Sequence, residues 1–577
     1  MSDASGPPVR PFPELPARFR FGAATAAYQI EGAHDQDGRG PSIWDTFSHT
    51  PGRTLGGATG DTACDHYHRH REDVALLRGL GVDGYRFSIA WPRLLPQGTG
   101  RVNPKGLDFY DRLIDDLLDA GIAPAVTLYH WDLPQALEDR GGWRARETAE
   151  AFARYAALAA ERYGDRVERW ITLNEPYCSA FVGYAEGRHA PGAEEGRGAL
   201  AAAHHLLVGH GLAVRALRAA GAREVGITLN LDRIHAASDH PDDLAGLRRA
   251  EVLHNEVWTE PLLAGRYPAH EDQTWAGLAA GPWRRPGDLE VIGAPLDFLG
   301  VNFYRPVTVA AAPHRTDDPE LRTAVDIGVT ELDPYGTRHT TMGWPVVPEA
   351  LRELLLDLHA RHPRLPPIWI TENGSAEDDT VGPDGRVHDP DRIAYLTDHL
   401  AAVADAIAAG VDVRGFYVWS LLDNFEWARG YARRFDLVHV DHDTLTRTPK
   451  DSYHWYRGLI TAHRARTEEP ADEVHRRLLA DAAGRHRPLR HRGRGRPGRR
   501  APDDPLCARE ARAQPWRHTQ QSAADDRVLV PGRGRDRGAC HPPRRLGAPG
   551  AGVRAARRAS GCRKGPPGRH GGRTQCG

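Results

Sequence analysis

From residue 19 onward, short apolar runs rich in β-branched and aromatic residues alternate with longer stretches whose apolar positions recur every three or four residues. The short runs read as buried strands and the long ones as amphipathic helices. Strands are predicted over 19–26, 84–90, 123–129, 170–173, 225–231, 296–302, 368–371 and 415–420. Helices are predicted over 106–120, 146–163, 198–220, 348–362 and 391–410. Strands that alternate with helices argue for parallel βα units, and eight of them argue for closure into a (β/α)8 TIM barrel, α/β in class. The segments between strands exceed a minimal helix plus turn. Long βα loops are therefore expected where such barrels build their sites. The polar interval 305–341 reads as one such loop over the barrel mouth.

Two of these strands stop abruptly at an acid. Ile368-Trp369-Ile370-Thr371 runs into Glu372-Asn373-Gly374, and Trp170-Ile171-Thr172-Leu173 runs into Asn174-Glu175-Pro176. Two carboxyl groups at strand tips of one barrel form a pair suited to acid–base and nucleophilic work on a glycosidic bond. Arg86, in Tyr85-Arg86-Phe87-Ser88, closes the second strand, and a cation beside a carboxyl favours its ionised form. Polar and aromatic residues follow other strands. Gln29 follows the first, His130 and Trp131 the third, Tyr304 the sixth, and Glu426 and Trp427 the eighth.

The stretches Thr172-Leu173-Asn174-Glu175-Pro176 and Ile370-Thr371-Glu372-Asn373-Gly374 resemble, in order, the two signature motifs of glycoside hydrolase family 1, the β-glucosidase family. The resemblance covers about residues 19–462. It implies a retaining exo-β-glycosidase that releases terminal β-D-glucosyl residues by double displacement. β-Galactosides and β-fucosides are implied as further substrates, with a place in cellulose and polysaccharide breakdown. A transglycosylase of the same family is the alternative. By resemblance Glu372 is the nucleophile and Glu175 the acid/base, with Arg86 and Tyr304 supporting the nucleophile. Gln29, His130, Asn174, Glu426 and Trp427 match the family's set for the non-reducing sugar, and Asn302 joins them. Trp419 offers an apolar face to the pyranose ring, and Trp344 matches the aglycone-side tryptophan. No metal or cofactor is implied. Glu426 would repel a 6-phosphate, which favours an unphosphorylated sugar. One departure is Asp436, in Arg434-Phe435-Asp436-Leu437, where the family usually has glycine, so the local turn is expected to differ. Cys178 has no activating partner within its motif and reads as a small packed residue.

Composition changes the picture mainly at the C-terminus. The chain has 577 residues, and its net charge of −2 hides a split. Residues 481–577 hold 24 Lys and Arg against 7 Asp and Glu, a net of +17, which leaves −19 for the first 480. No Ile, Phe, Tyr or Met occurs from residue 461 to the end. Arg, Gly, Pro and Ala in this proportion cannot bury enough apolar surface to offset ordering entropy. The expected organisation is a flexible lead over 1–18, a barrel domain over 19–466 and a disordered basic tail over 467–577. The tail is either a genuine arm or the product of a shifted reading frame in GC-rich DNA. Lys105 and Lys450 being the only lysines of the first 466 residues fits such DNA. Nucleic-acid binding is not expected, because only Trp516 could stack on bases and the acidic body opposes a phosphate backbone. Of six cysteines only Cys64 and Cys178 lie in the body, in keeping with a reducing cytoplasm. The N-terminus lacks the apolar core of a signal peptide, and no run of apolar residues is long enough to span a membrane. The expected partner is a small-molecule β-glucoside or oligosaccharide; the sequence leaves oligomeric state open.

Overall fold

The computed structural model describes residues 13–269, 281–313 and 326–467. The expected tail lies outside the described residues except for Thr467, and so do the first twelve residues of the expected lead. In chain order the strands are β1 (Arg20–Ala24), β2 (Gly84–Ser88), β3 (Ala123–Tyr129), β4 (Arg169–Asn174), β5 (Glu224–Asn230), β6 (Arg233–Ala236), β7 (Phe298–Asn302), β8 (Pro306–Ala311), β9 (Val329–Leu332), β10 (Ile368–Asn373), β11 (Val413–Trp419), β12 (Val438–Asp441) and β13 (Thr446–Pro449). Eight of them form a closed barrel in the order β1-β11-β10-β7-β5-β4-β3-β2. The pairing is parallel throughout, and β1 closes the ring with Ala24 beside Trp419 and Gly22 beside Gly84. Each predicted strand lands on one barrel strand with its ends within two residues.

Helices cover the outside. Pro104–Asp119 buries Phe109, Tyr110, Leu113, Ile114 and Leu117, the stripe expected of an amphipathic helix packed on a sheet. The helix His66–Leu80 escapes a hydrophobic reading because His66, His70 and Asp73 sit on its buried face. Among the described residues no helix is long and apolar enough to cross a membrane. The interval 305–341 is not one continuous loop. β8 pairs parallel with β6 and antiparallel with β9, a small sheet outside the barrel. Alternating Val307 and Val309 are buried there, a short period-two signal that the surrounding polarity masks. Residues 314–325 of that interval lie outside the described residues.

The barrel interior is filled by large side chains laid over glycines. A Cβ on Gly22 would lie 2.2 Å from the Tyr417 ring, and one on Gly415 would lie 2.3 Å from Trp369. Arg169 stacks on Trp369, its Cζ 3.6 Å from the ring centroid, and donates to Glu224 at 2.8 Å. This layer plugs the strand starts, so the strand ends are left to build a pocket. Those ends leave the regular ladder. The β4–β5 register shifts between Ile171 and Asn174, and the β10–β7 register shifts between Ile370 and Glu372. Irregular pairing of this kind re-aims side chains, here at the two strand tips that carry acids.

A buried charge cluster supports the last barrel loop. Lys450, fully buried, donates to Asp379 and Asp423 at 2.6 Å each, and Arg434 donates to Asp423 at 2.5 Å. Arg392 donates to Asp379 at 2.6 Å and also pairs with Asp389. Burial pushes Asp423 up, but Lys450 and Arg434 overcome it and hold the carboxyl at about 2. Removing one partner of a buried pair leaves a charge uncompensated, which costs far more than the pair contributes. Lys450→Met is therefore expected to lose about 3–5 kcal/mol, read as the difference in urea unfolding followed by tryptophan fluorescence. A loss below about 1 kcal/mol, the range of a surface pair, would show that the cluster tolerates the missing cation.

Candidate active site

Glu175 and Glu372 meet at the C-terminal mouth of the barrel, and both are buried. Glu372, within β10, has both oxygens engaged. Arg86 of β2 donates to Oε1 at 2.6 Å, and the Tyr304 hydroxyl donates to Oε2 at 2.8 Å. Glu175 follows β4 in a left-handed conformation, φ +45°, a strained position for a side chain other than glycine. Its N–H donates to the Thr228 carbonyl of β5 at 2.9 Å, which holds the turn. Asn302, the last residue of β7, donates to Glu175 Oε1 at 2.7 Å and to Asn174 Oδ1 at 3.1 Å. Thr371 donates to Asn302 Oδ1 at 2.7 Å and so fixes which way that amide points.

The two carboxyl groups stand in different fields. Burial first, then the charge of Glu372, raises Glu175 to about 8. Burial also raises Glu372, but there the charge and hydrogen bond of Arg86 oppose it, joined by Tyr304 and Asn302. Glu175 touches no cation in this way, so Arg86 favours the charge on Glu372 over Glu175. A third carboxyl senses the same charges. Burial, with the charges of Glu372 and Glu175, raises Glu426 to about 8.

Around the acids lies a wall of polar groups and rings. Gln29 donates through Nε2 to Asn424 Oδ1 at 2.8 Å and to the Phe425 carbonyl at 3.0 Å. Its Oε1 is buried with no protein partner. His130 Nε2 accepts from Asn174 Nδ2 at 3.0 Å, which puts the ring proton on Nδ1, likewise buried and unpartnered. Burial and the Arg86 charge push His130 well below its ordinary value, so the ring is neutral. One acceptor and one donor are thus left over, a set that two sugar hydroxyls can engage. His130 stacks near Trp419 and Trp427, at centroid separations of 5.6 and 5.9 Å. Trp427 packs on Trp131 at 4.4 Å and on Trp44 at 4.5 Å. Trp344 is partly open and packs on Tyr304 at 5.4 Å, on the side of the pocket facing Phe435.

The structure thus gathers Gln29, Arg86, His130, Asn174, Glu175, Asn302, Tyr304, Glu372 and the tryptophans 419 and 427 around one pocket mouth, with Glu426 coupled electrostatically to the acid pair. Three details were not visible in the sequence. Asn174 Oδ1 accepts from Arg86 at 2.5 Å as well as from Asn302, so its carbonyl faces the protein rather than a ligand. Cys178 is not merely packed: its thiol donates to Glu175 Oε2 at 3.2 Å, because the turn of helix after Pro176 brings it back over the carboxyl. Asp436 is buried and accepts from Ser420, and Asn424 donates to it at 3.3 Å. Asn424 itself was missed. Its only sequence signal is its place two residues before Glu426. Among the described residues, the group of ligands spaced for a metal ion is His34, His49 and Asp61, none of which borders the acid pair.

A parallel barrel with two buried carboxyl groups in opposed fields at its mouth defines an enzyme of acid–base type. Comparison with known proteins narrows the class. Residues 12–465 match glycosyl hydrolase family 1. The chain is 52% identical over 457 residues to thermostable beta-glucosidase B of Thermobispora bispora, covering 79% of this chain and 92% of that one. It is 48% identical over 464 residues to the bifunctional beta-D-glucosidase/beta-D-fucosidase of Bifidobacterium breve, covering 78% and 99%. A crystal structure of the psychrophilic beta-glucosidase of Micrococcus antarcticus superposes with a TM-score of 0.75 at 48% identity, over 78% of this chain and 98% of that one. The chain belongs to glycosyl hydrolase family 1, and it is a glycoside hydrolase.

The like charge of Glu372 is one of the two causes that raise Glu175. In Glu372→Gln the Glu175 carboxyl is therefore expected to titrate below its value of about 8 in the unaltered protein. Infrared difference spectra of the carboxyl band against pH would report the shift. An unchanged or raised midpoint would mean that the two groups do not sense each other.

Proposed function

We propose that the protein is a retaining, exo-acting β-glycosidase that removes terminal non-reducing β-D-glucosyl residues from small glucosides or oligosaccharides, with β-fucosides and β-galactosides as further substrates. The carrying observation is the opposed setting of the two glutamates. Glu372 is gripped at both oxygens by Arg86 and Tyr304, which holds an ionised nucleophile aimed and still. Glu175 keeps a proton at neutral pH and is placed to give it to the leaving oxygen. The Asn302 amide binds Glu175 and also favours the ionised form of Glu372, so one small side chain serves both carboxyl groups. That closeness supports direct attack, because an inverting pair stands about 6.5–9.5 Å apart to admit a water and a retaining pair only about 5–5.5 Å. In the first step Glu372 forms a bond to the anomeric carbon as the aglycone oxygen leaves with the Glu175 proton. In the second, Glu175 takes a proton from water, which displaces Glu372 and releases the sugar.

The names of the relatives from Thermobispora bispora and Bifidobacterium breve support a glucosyl and fucosyl preference. A Thermotoga maritima relative solved with isofagomine lactam supports a pocket of sugar size. In this reading Gln29, His130 and Glu426 engage sugar hydroxyls, Trp419 and Trp427 form the apolar wall, and Trp344 borders the aglycone.

Two measurements test it on the full chain. With an aryl β-D-glucoside followed by proton NMR, the first-formed sugar is expected to be the β anomer, and a first-formed α anomer would overturn retention. A 2-fluoro glucoside that slows the second step should label one residue, Glu372, and label at any other residue would overturn its role. The pH profile adds a sign. Because the acid must be protonated, kcat/KM should fall as pH rises through about 8, where Glu175 loses its proton. A basic limb lying near the ordinary carboxylate value would contradict the assignment of Glu175.

A further inference from the structure

Away from the acid pair, the first βα connection brings three metal-binding side chains together. It runs from the end of β1 to the helix His66–Leu80 and also carries Gln29. His34, His49 and Asp61 each offer one ligand atom, and all three atoms lie within 4.8 Å of one another. His49 Nε2 is 3.1 Å from Asp61 Oδ2, and His34 Nδ1 is 3.8 Å from Asp61 Oδ1. An ion held about 2 Å from each ligand separates its ligands by about 3–4 Å, so these two spacings already suit one.

The hydrogen bonds of His49 decide what the cluster lacks. Its Nδ1 is 2.7 Å from the Asp45 carbonyl oxygen, which can only accept, so Nδ1 carries the ring proton. Metal-binding histidines are oriented in this way, the second nitrogen donating to a backbone carbonyl. Nε2 is then left either to carry a second proton, which the Asp45 carbonyl and Asp61 favour by raising the imidazole above its ordinary value, or to offer its lone pair to an ion, and it faces a carboxylate oxygen. Something positive must lie between them. A proton would satisfy that one contact but would leave Asp61 Oδ1, which is shut off from solvent and accepts no hydrogen bond, facing His34 across 3.8 Å. A metal ion would use all three groups at once.

We propose that His34, His49 and Asp61 form a binding site for a divalent transition-metal ion of the zinc type. Two imidazole nitrogens and one carboxylate match that class rather than calcium or magnesium, which prefer oxygen alone. The side chains keep 33%, 47% and 32% of their surface exposed, so water completes the coordination and the ion exchanges with solvent. The site is a clip rather than a catalytic centre. His49 follows the short helix Ile43–Ser48, whose Trp44 packs on Trp427, and Asp61 lies thirteen residues and more beyond that helix, so the ion ties together distant parts of one loop that backs the sugar wall.

The test compares the full-length protein with His34→Ala and Asp61→Asn. Zn2+ uptake is measured by competition with a chelating dye and by the thermal midpoint, and Co2+ by its visible ligand-field bands. The tail's Cys507, Cys540, Cys562 and Cys576 are common to all three proteins, so the difference between them is the readout. The unaltered protein should bind one ion more per chain than either variant, or bind it about tenfold or more tightly. Its midpoint should rise with Zn2+ where theirs does not, and Co2+ bands should be lost in both variants. Equal uptake, equal shifts and equal Co2+ spectra in all three would overturn the site and leave His49–Asp61 as a proton-bridged pair. Melting without metal reports whether each variant folds, and His34→Gln replaces His34→Ala if it does not.

Discussion

Carboxyl groups enclosed in one pocket cannot all be charged, and the organisation of this protein follows from how it handles that constraint. Burial raises Glu175, Glu372 and Glu426; the charge of Glu372 adds to it at Glu175, and the charges of both add to it at Glu426. The guanidinium of Arg86 touches Glu372 and does not touch the other two. That single contact breaks the symmetry of the set. It favours the charge on Glu372 over its neighbours, and the proposed division of labour between nucleophile and acid rests on that bias.

Holding that asymmetry needs rigidity, and the barrel supplies it from below. Arg169, Trp369 and Tyr417 fill the interior against glycines, so the strands cannot collapse inward. At the top the strands leave their ladders, and Glu175, Trp131 and Trp427 adopt positive φ. Such conformations cost about 1–3 kcal/mol each and persist only where surrounding contacts over-determine them. Those contacts are present: the Thr228 carbonyl takes the Glu175 N–H, and the Trp131 indole donates to the Asn174 carbonyl at 2.9 Å.

A second chain of contacts runs from buried charge to the polar wall beside the acids. Lys450 and Arg434 neutralise Asp423, and the next residue, Asn424, orients Gln29. Asp436 joins Ser420 beneath the same asparagine. In place of the family's usual glycine there is a second buried carboxyl, pushed well up by burial and by the charge of Asp423. The polar wall of the pocket is thus built on a stack of paired groups rather than on free loop ends.

The sequence by itself determined the eight strands, five of the helices between them, and the two acids at strand tips. It could do so because a barrel strand buried on both faces and an amphipathic helix leave different periods in the chain. The polar residues behind those tips, Gln29 and His130 among them, were legible from motif and position. Tertiary structure alone decided the partners. That Arg86 grips Glu372 and not Glu175, that the Asn174 carbonyl turns inward, and that Asn424 orients Gln29 all join residues from different strands or loops, while the return of Cys178 to Glu175 is set by the single turn after Pro176. The same holds for His34, His49 and Asp61, whose spacing along the chain carries no motif. Periodicity reports which face of an element is buried; which groups meet across the barrel, and so which carboxyl keeps its proton, is set by closure of the ring.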